Sequence, residues 1–120
     1  MTISLQVEVE VRDGVAFVTA AGEVDLSNAD RLSAALGSSP CSTADGVVLD
    51  LRKVPFMDSS GLAAILHCAR EIDPPVTIVV GEGSPVAKLF DLANIGAQVP
   101  TFTDPAAAEA EARGATDVAG

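Results

Sequence analysis

The stretch Val47–Arg70, VVLDLRKVPFMDSSGLAAILHCAR, constrains the fold more than any other part of the chain. It begins with Val47–Leu51, an apolar run of strand length. A short loop containing Pro55 follows, then a polar knot, Asp58-Ser59-Ser60-Gly61. Beyond the knot, Leu62, Ile65, Leu66 and Ala69 fall at i, i+3, i+4 and i+7, the spacing of a helix with one buried face. A second apolar run, Val76–Val80, comes after Pro74-Pro75. Strand, helix and strand in that order describe a right-handed crossover between parallel strands. The knot then lies where a strand hands over to a helix, beside the unpaired backbone N–H groups of the first turn.

The flanking segments fit the same frame. Leu5–Arg12 alternates, with Leu5, Val7, Val9 and Val11 on one face and Gln6, Glu8, Glu10 and Arg12 on the other, as in an edge strand with one wet face. Asp13-Gly14 is a hairpin signal, and Val15–Ala21 returns as a more apolar strand. Gly22-Glu23-Val24-Asp25 leads to a first helix with Asp25 or Ser27 as its cap and Ala29, Leu32, Ala35 and Leu36 as its buried stripe. Gly37–Gly46, rich in Ser and Gly, reads as a loop. Ser84-Pro85 starts a third helix with the stripe Val86, Leu89, Phe90 and Ala93, which Asn94-Ile95-Gly96 closes with glycine at C′. Val99–Phe102 reads as a last short strand, and Asp104-Pro105 begins an Ala- and Glu-rich helix to about Arg113. The expected fold is α/β: a mixed sheet with an N-terminal hairpin strand and about four helices, in a single domain over residues 1–113. Residues 114–120 are expected to form a frayed tail.

Composition narrows the functions open to such a domain. The 120 residues are 48% hydrophobic but only 3% aromatic, so Val, Leu, Ile and Ala must build the core. The net charge is −10, and the few Lys and Arg residues are scattered, which argues against nucleic acid or anionic membranes as direct partners. Any influence on transcription would pass through another protein. No basic-then-apolar leader opens the sequence and no apolar run reaches the roughly 20 residues of a membrane span, so the expected location is cytoplasmic. Cys41 and Cys68 are too few for a disulfide framework or a zinc site, leaving buried thiols or a regulatory disulfide between them.

Self-contained chemistry finds little support. In a parallel sheet the loops after the strands gather along one edge, here Glu23 and Asp25, Arg52–Ser60 and Gly81–Ser84. Gly81–Pro85, GEGSP, has no lysine with which to cradle a phosphate. Asp50 superficially resembles the phosphorylated aspartate of a receiver domain, yet the acid pair after the first strand and the lysine after the fifth are both missing. A serine hydrolase needs a histidine beside its nucleophile, and the one histidine, His67, lies two turns beyond Ser59 and away from the apolar stripe. No cofactor or metal is expected. Asp58, Ser59 or Ser60 could be an ordinary N-cap, worth about 0.5–2 kcal/mol. A serine there could also be acted upon, because phosphate adds about −1.5 to −2 charges at the favourable end of a helix dipole.

With its Gly22-Glu23-Val24-Asp25 turn, its VVLDL strand, Phe56-Met57-Asp58-Ser59-Ser60-Gly61-Leu62 and Ser84-Pro85-Val86-Ala87-Lys88-Leu89-Phe90, the sequence resembles the STAS-domain family, specifically the bacterial anti-sigma factor antagonists. The likeness spans about Leu5 to Arg113. It departs from the commoner pattern at Ala63 and Ala64, which do not touch the acceptor. The resemblance implies a protein that is not an enzyme. It binds an anti-sigma factor that is also a serine kinase, and thereby releases the sigma factor. It further implies that the kinase phosphorylates Ser59, that this ends the complex, and that a serine phosphatase reverses it. Asp58, Ser60 and Gly61 would shape the acceptor loop, and Glu23 and Asp25 would line the same docking edge. The other reading within the family is a STAS scaffold or subunit of a transport or signalling assembly, in which Ser59 is only part of a helix start.

Overall fold

The computed structural model describes residues 4–114. Its first two strands, β1 (Gln6–Arg12) and β2 (Val15–Ala21), form an antiparallel hairpin in which Arg12 faces Val15 and Gln6 faces Ala21. The two-residue turn places Asp13 at φ 50° and Gly14 at φ 84°, the left-handed pair that matches the twist of a hairpin. β1 is the sheet edge that its alternation predicts, with Val7 and Val9 packed against the core and Glu8, Glu10 and Arg12 outside. Val11 departs from the pattern: it is 49% exposed, so the apolar face of β1 ends before the hairpin.

Three parallel strands complete the sheet in sequential order: β3 (Gly46–Lys53), β4 (Val76–Val79) and β5 (Thr101–Phe102). The helices are α1 (Ala29–Leu36), α2 (Ser39–Ser42), α3 (Ser59–Glu71), α4 (Pro85–Leu92) and α5 (Pro105–Gly114). There is one helix more than the sequence suggests. α2 occupies the Ser- and Gly-rich segment read as a loop, where Pro40 in its first turn helps bring Cys41 into the core with no exposed surface.

One face of the sheet carries the main core. Val18, Leu49 and Ile78 pack there with Leu32 and Leu36 of α1, Ile65 of α3 and Phe90 of α4. Complete burial of each such side chain contributes about 1.5–3 kcal/mol. The other face is covered by α5, whose Ala108 and Ala112 meet Val15, Val48 and Val79. Small side chains allow a close approach: a Cβ at Gly46 would stand 2.8 Å from the Ala112 carbonyl oxygen. Thr77, the buried polar residue of β4, donates its hydroxyl to the Ala108 carbonyl at 3.2 Å.

Two boundaries differ from the expected ones. α4 stops at Leu92, and the left-handed C′ position is taken by Asn94 at φ 56°, not by Gly96. Asparagine tolerates that conformation, and the early stop lets Ile95 turn into the core within a 3-10 turn, Ile95–Ala97. Gly114 belongs to α5 instead of opening a tail, and residues 115–120 lie outside the described residues. Among the described residues no helix is long and apolar enough to cross a membrane.

Candidate docking site at the carboxyl edge of the sheet

The parallel pairing of β2 with β3 does not stop where the strands do. Gly22 N donates to the Lys53 carbonyl at 3.1 Å and Val24 N to the Phe56 carbonyl at 3.0 Å. Asp58 N donates back to the Val24 carbonyl at 3.1 Å, making a parallel bridge between Val24 and Met57. The two loops are thus zipped side by side, rooted by buried Val24, Val54 and Met57. Gly22 permits this at φ 115°, with Ser4 and Leu5 so close that a Cβ would stand 2.9 Å from the Ser4 carbonyl oxygen.

At the end of the zipped segment Asp58 caps α3. One carboxylate oxygen accepts from Ser60 N at 2.9 Å and from Gly61 N at 3.1 Å, satisfying two orphan donors of the first turn. Of the three possible caps, the acid takes the role. Ser59 becomes the first helical residue, exposed, with a hydroxyl that makes no hydrogen bond among the described residues. Ser60 is half-buried beside it. Gly61 lies beneath the edge: a Cβ would meet Val24 Cγ1 at 2.7 Å and Met57 Cγ at 2.8 Å. Its missing side chain is what lets the helix start press against both loops.

Glu23 is exposed and Asp25 half-buried on the neighbouring loop. Neither Asp25 nor Ser27 caps α1, as the sequence suggests; the helix follows Asn28. The Asp25 carboxylate instead accepts from the hydroxyl and the amide of Ser27, closing a tight turn. Those two bonds, the hydroxyl first, hold its pKa below the ordinary carboxylate value despite some opposing desolvation. Asn28 is a residue that the sequence reading missed. Its side chain accepts from Asp25 N and donates to the Glu23 carbonyl, both at 2.9 Å, clasping the loop at both ends. Asparagine directly before a helical stripe is the signal that could have found it. Leu26 and Phe56 were also missed: they are 80% and 50% exposed on the two zipped loops.

The other candidates separate from this edge. Asp50 receives Arg52 in a two-pronged contact, Nε to Oδ1 at 3.0 Å and Nη2 to Oδ2 at 2.7 Å. Burial pushes its carboxyl up, but the Arg52 side chain and amide outweigh that and leave it lowered, a paired group on the face of α5. His67 is exposed, eight residues along α3 from Ser59, which is about 12 Å of helix rise. Ser84 is committed as the cap of α4, accepting from Ala87 N at 3.1 Å. Cys41 and Cys68 are free and buried, and burial raises the Cys41 pKa. No cluster of three or more metal-ligating side chains occurs among the described residues. This edge therefore offers an exposed hydroxyl that makes no hydrogen bond among the described residues, next to the capping carboxylate of Asp58.

The STAS domain model matches residues 6–108. The chain belongs to the STAS-domain family. Over 106 residues it is 30% identical to an anti-sigma F factor antagonist of Paenibacillus polymyxa, covering 83% of this chain and 88% of that protein. It is 34% identical over 82 residues to the anti-sigma-F factor antagonist RsfB of Mycobacterium tuberculosis, covering 68% of this chain and 67% of the relative. Its fold is similar to the crystal structure of an anti-sigma factor antagonist from Mycobacterium paratuberculosis, with a TM-score of 0.84 and 23% identity, over 94% of this chain and 99% of that one.

Proposed function

We propose that this STAS protein is a cytoplasmic anti-sigma factor antagonist, not itself an enzyme, and that phosphorylation of Ser59 switches it off. The observation that carries the reading is the division of labour at the start of α3: Asp58 does the capping, and Ser59 stands exposed with a free hydroxyl on the zipped edge. The names of the two antagonist relatives support the role. The partner is an anti-sigma factor with serine kinase activity, which brings ATP, magnesium and a base. The Ser59 Oγ attacks the γ-phosphorus of ATP, its proton passes to the base of the kinase, and ADP departs.

The fold tolerates the product, because the phosphate sits at the positive end of the α3 dipole, on an exposed first helical residue. The partner does not. About −1.5 to −2 charges enter a face that already carries Glu23, Asp25 and Asp58, and the Asp58 carboxylate next door keeps the phosphate turned to solvent. A serine phosphatase then restores the hydroxyl with water, releasing inorganic phosphate.

The test is to incubate the protein with each purified anti-sigma factor kinase of its own cell and ATP, and to map the phosphopeptide. Phosphate is expected on Ser59 alone; Ser59→Ala should stay bound and Ser59→Asp should not. Phosphate on another residue, or tight binding by Ser59→Asp, refutes the switch. Co-purification with a membrane transport complex in place of a soluble kinase would favour the scaffold reading.

A further inference from the structure

We infer that Leu26 and Phe56 are the apolar anchors of the docking edge, and that they fit an anti-sigma factor surface with an apolar pocket bordered by Arg or Lys. This rests on the proposed function and assigns the residues that hold the partner. Among the described residues four large apolar side chains are exposed: Val11, Leu26, Phe56 and Leu92. Two of the four stand on the pair of loops that flank Ser59. Phe56 is the exposed member of the four phenylalanines: Phe90 is buried, while Phe17 and Phe102 pack half-buried against the α5 face.

The backbone under both anchors is already held. The Phe56 carbonyl accepts from Val24 N, and its neighbour Met57 is buried. Leu26 lies inside the turn that Ser27 and Asn28 close on Asp25. Docking therefore orders little backbone, and the burial of the two side chains goes largely into affinity. The surrounding charge sets the chemistry of the partner. Glu23, Asp25 and Asp58 belong to no ion pair among the described residues, and they outnumber Arg31, which lines the same hollow as Glu23 and Asp25. An apolar pair within unpaired acids is complementary to an apolar pocket within basic groups.

Isothermal titration of the full chain, unphosphorylated, against each purified anti-sigma factor kinase of its own cell tests this. With the kinase that binds wild type, Leu26→Ala and Phe56→Ala should each weaken binding by about tenfold or more. Leu92→Ser, at the far end of α4 and 87% exposed, should leave it unchanged. Phe56→Leu should recover most of the affinity that Phe56→Ala loses, and Phe56→Gln should not. In the phosphorylation assay the alanine variants should raise KM and leave kcat near wild type. If both alanine variants bind like wild type while Ser59→Asp does not, the anchors are refuted and the proposed function stands. If Phe56→Gln recovers affinity as well as Phe56→Leu, the apolar character of the anchor is refuted. If no kinase binds wild type, the proposed function falls, and the anchors with it.

Discussion

Two helices begin on the same edge of the sheet with a serine at their start, and they use it in opposite ways. At α4 the Ser84 hydroxyl is the cap: it accepts from Ala87 N and Pro85 follows it. At α3 the Asp58 carboxylate does the capping through Ser60 N and Gly61 N, and Ser59 is left over. A hydroxyl engaged by the backbone is held in one direction with a lone pair in use, whereas one displaced by a neighbouring acid is free for a partner. The difference shows that the residue before an apparent capping serine decides whether that serine is structural or accessible.

Substitutions at the two helix starts can break or sharpen this contrast. The largest effect on stability should come from Gly61→Ala, whose new methyl would meet Val24 and Met57 at under 3 Å. Overpacking of that kind costs about 1–3 kcal/mol, and urea denaturation should show it as a lower midpoint with the slope retained. Asp58→Ala removes a cap that satisfies two amides and should cost about 0.5–2 kcal/mol by the same measurement.

The same change at the two serines is the direct comparison. Ser84→Ala should lower stability by about 1 kcal/mol and Ser59→Ala by less than about 0.5 kcal/mol. Equal shifts in thermal midpoint would erase the distinction. The smallest effect is a pH dependence at the neighbouring loop. The Asp25 pKa is lowered by the Ser27 hydroxyl and then by its amide, so its contribution is present above the ordinary carboxylate value near 4 and is lost as pH falls through the folded value. Asp25→Asn should therefore be slightly less stable than wild type at neutral pH, with the gap closing below about pH 4 in thermal melts.

The opening hairpin, the parallel crossovers and the helix faces could be read in advance because they rest on many residues at once. Val47–Leu51 and the Leu62/Ile65 stripe each repeat one signal several times, and no single side chain can overturn it. What escaped was decided by one or two residues under tertiary control. Buried Cys41 and Pro40 before it belong to α2, in a segment that otherwise reads as loop. The burial of Ile95 moves the end of α4 to Asn94. Asn28, not Asp25 or Ser27, precedes α1, with its side chain tied to Asp25 N and the Glu23 carbonyl of its own loop. At the candidate site, D-S-S-G marked the helix start, but which of the three side chains would cap it depended on backbone directions. The exposure of Leu26 and Phe56 carries no periodic signature, since each is one apolar residue in an irregular loop.

The zipper between residues 22–24 and 53–58 is built from main-chain atoms, and this separates the shape of the edge from its wording. Glu23, Leu26 and Phe56 can be exchanged without removing one of the bonds that hold the loops together. Duplicated copies of such a domain within one cell could each drift toward a different binding partner at small cost to folding. Insulation between parallel signalling routes then becomes a matter of a few surface letters on a shared frame.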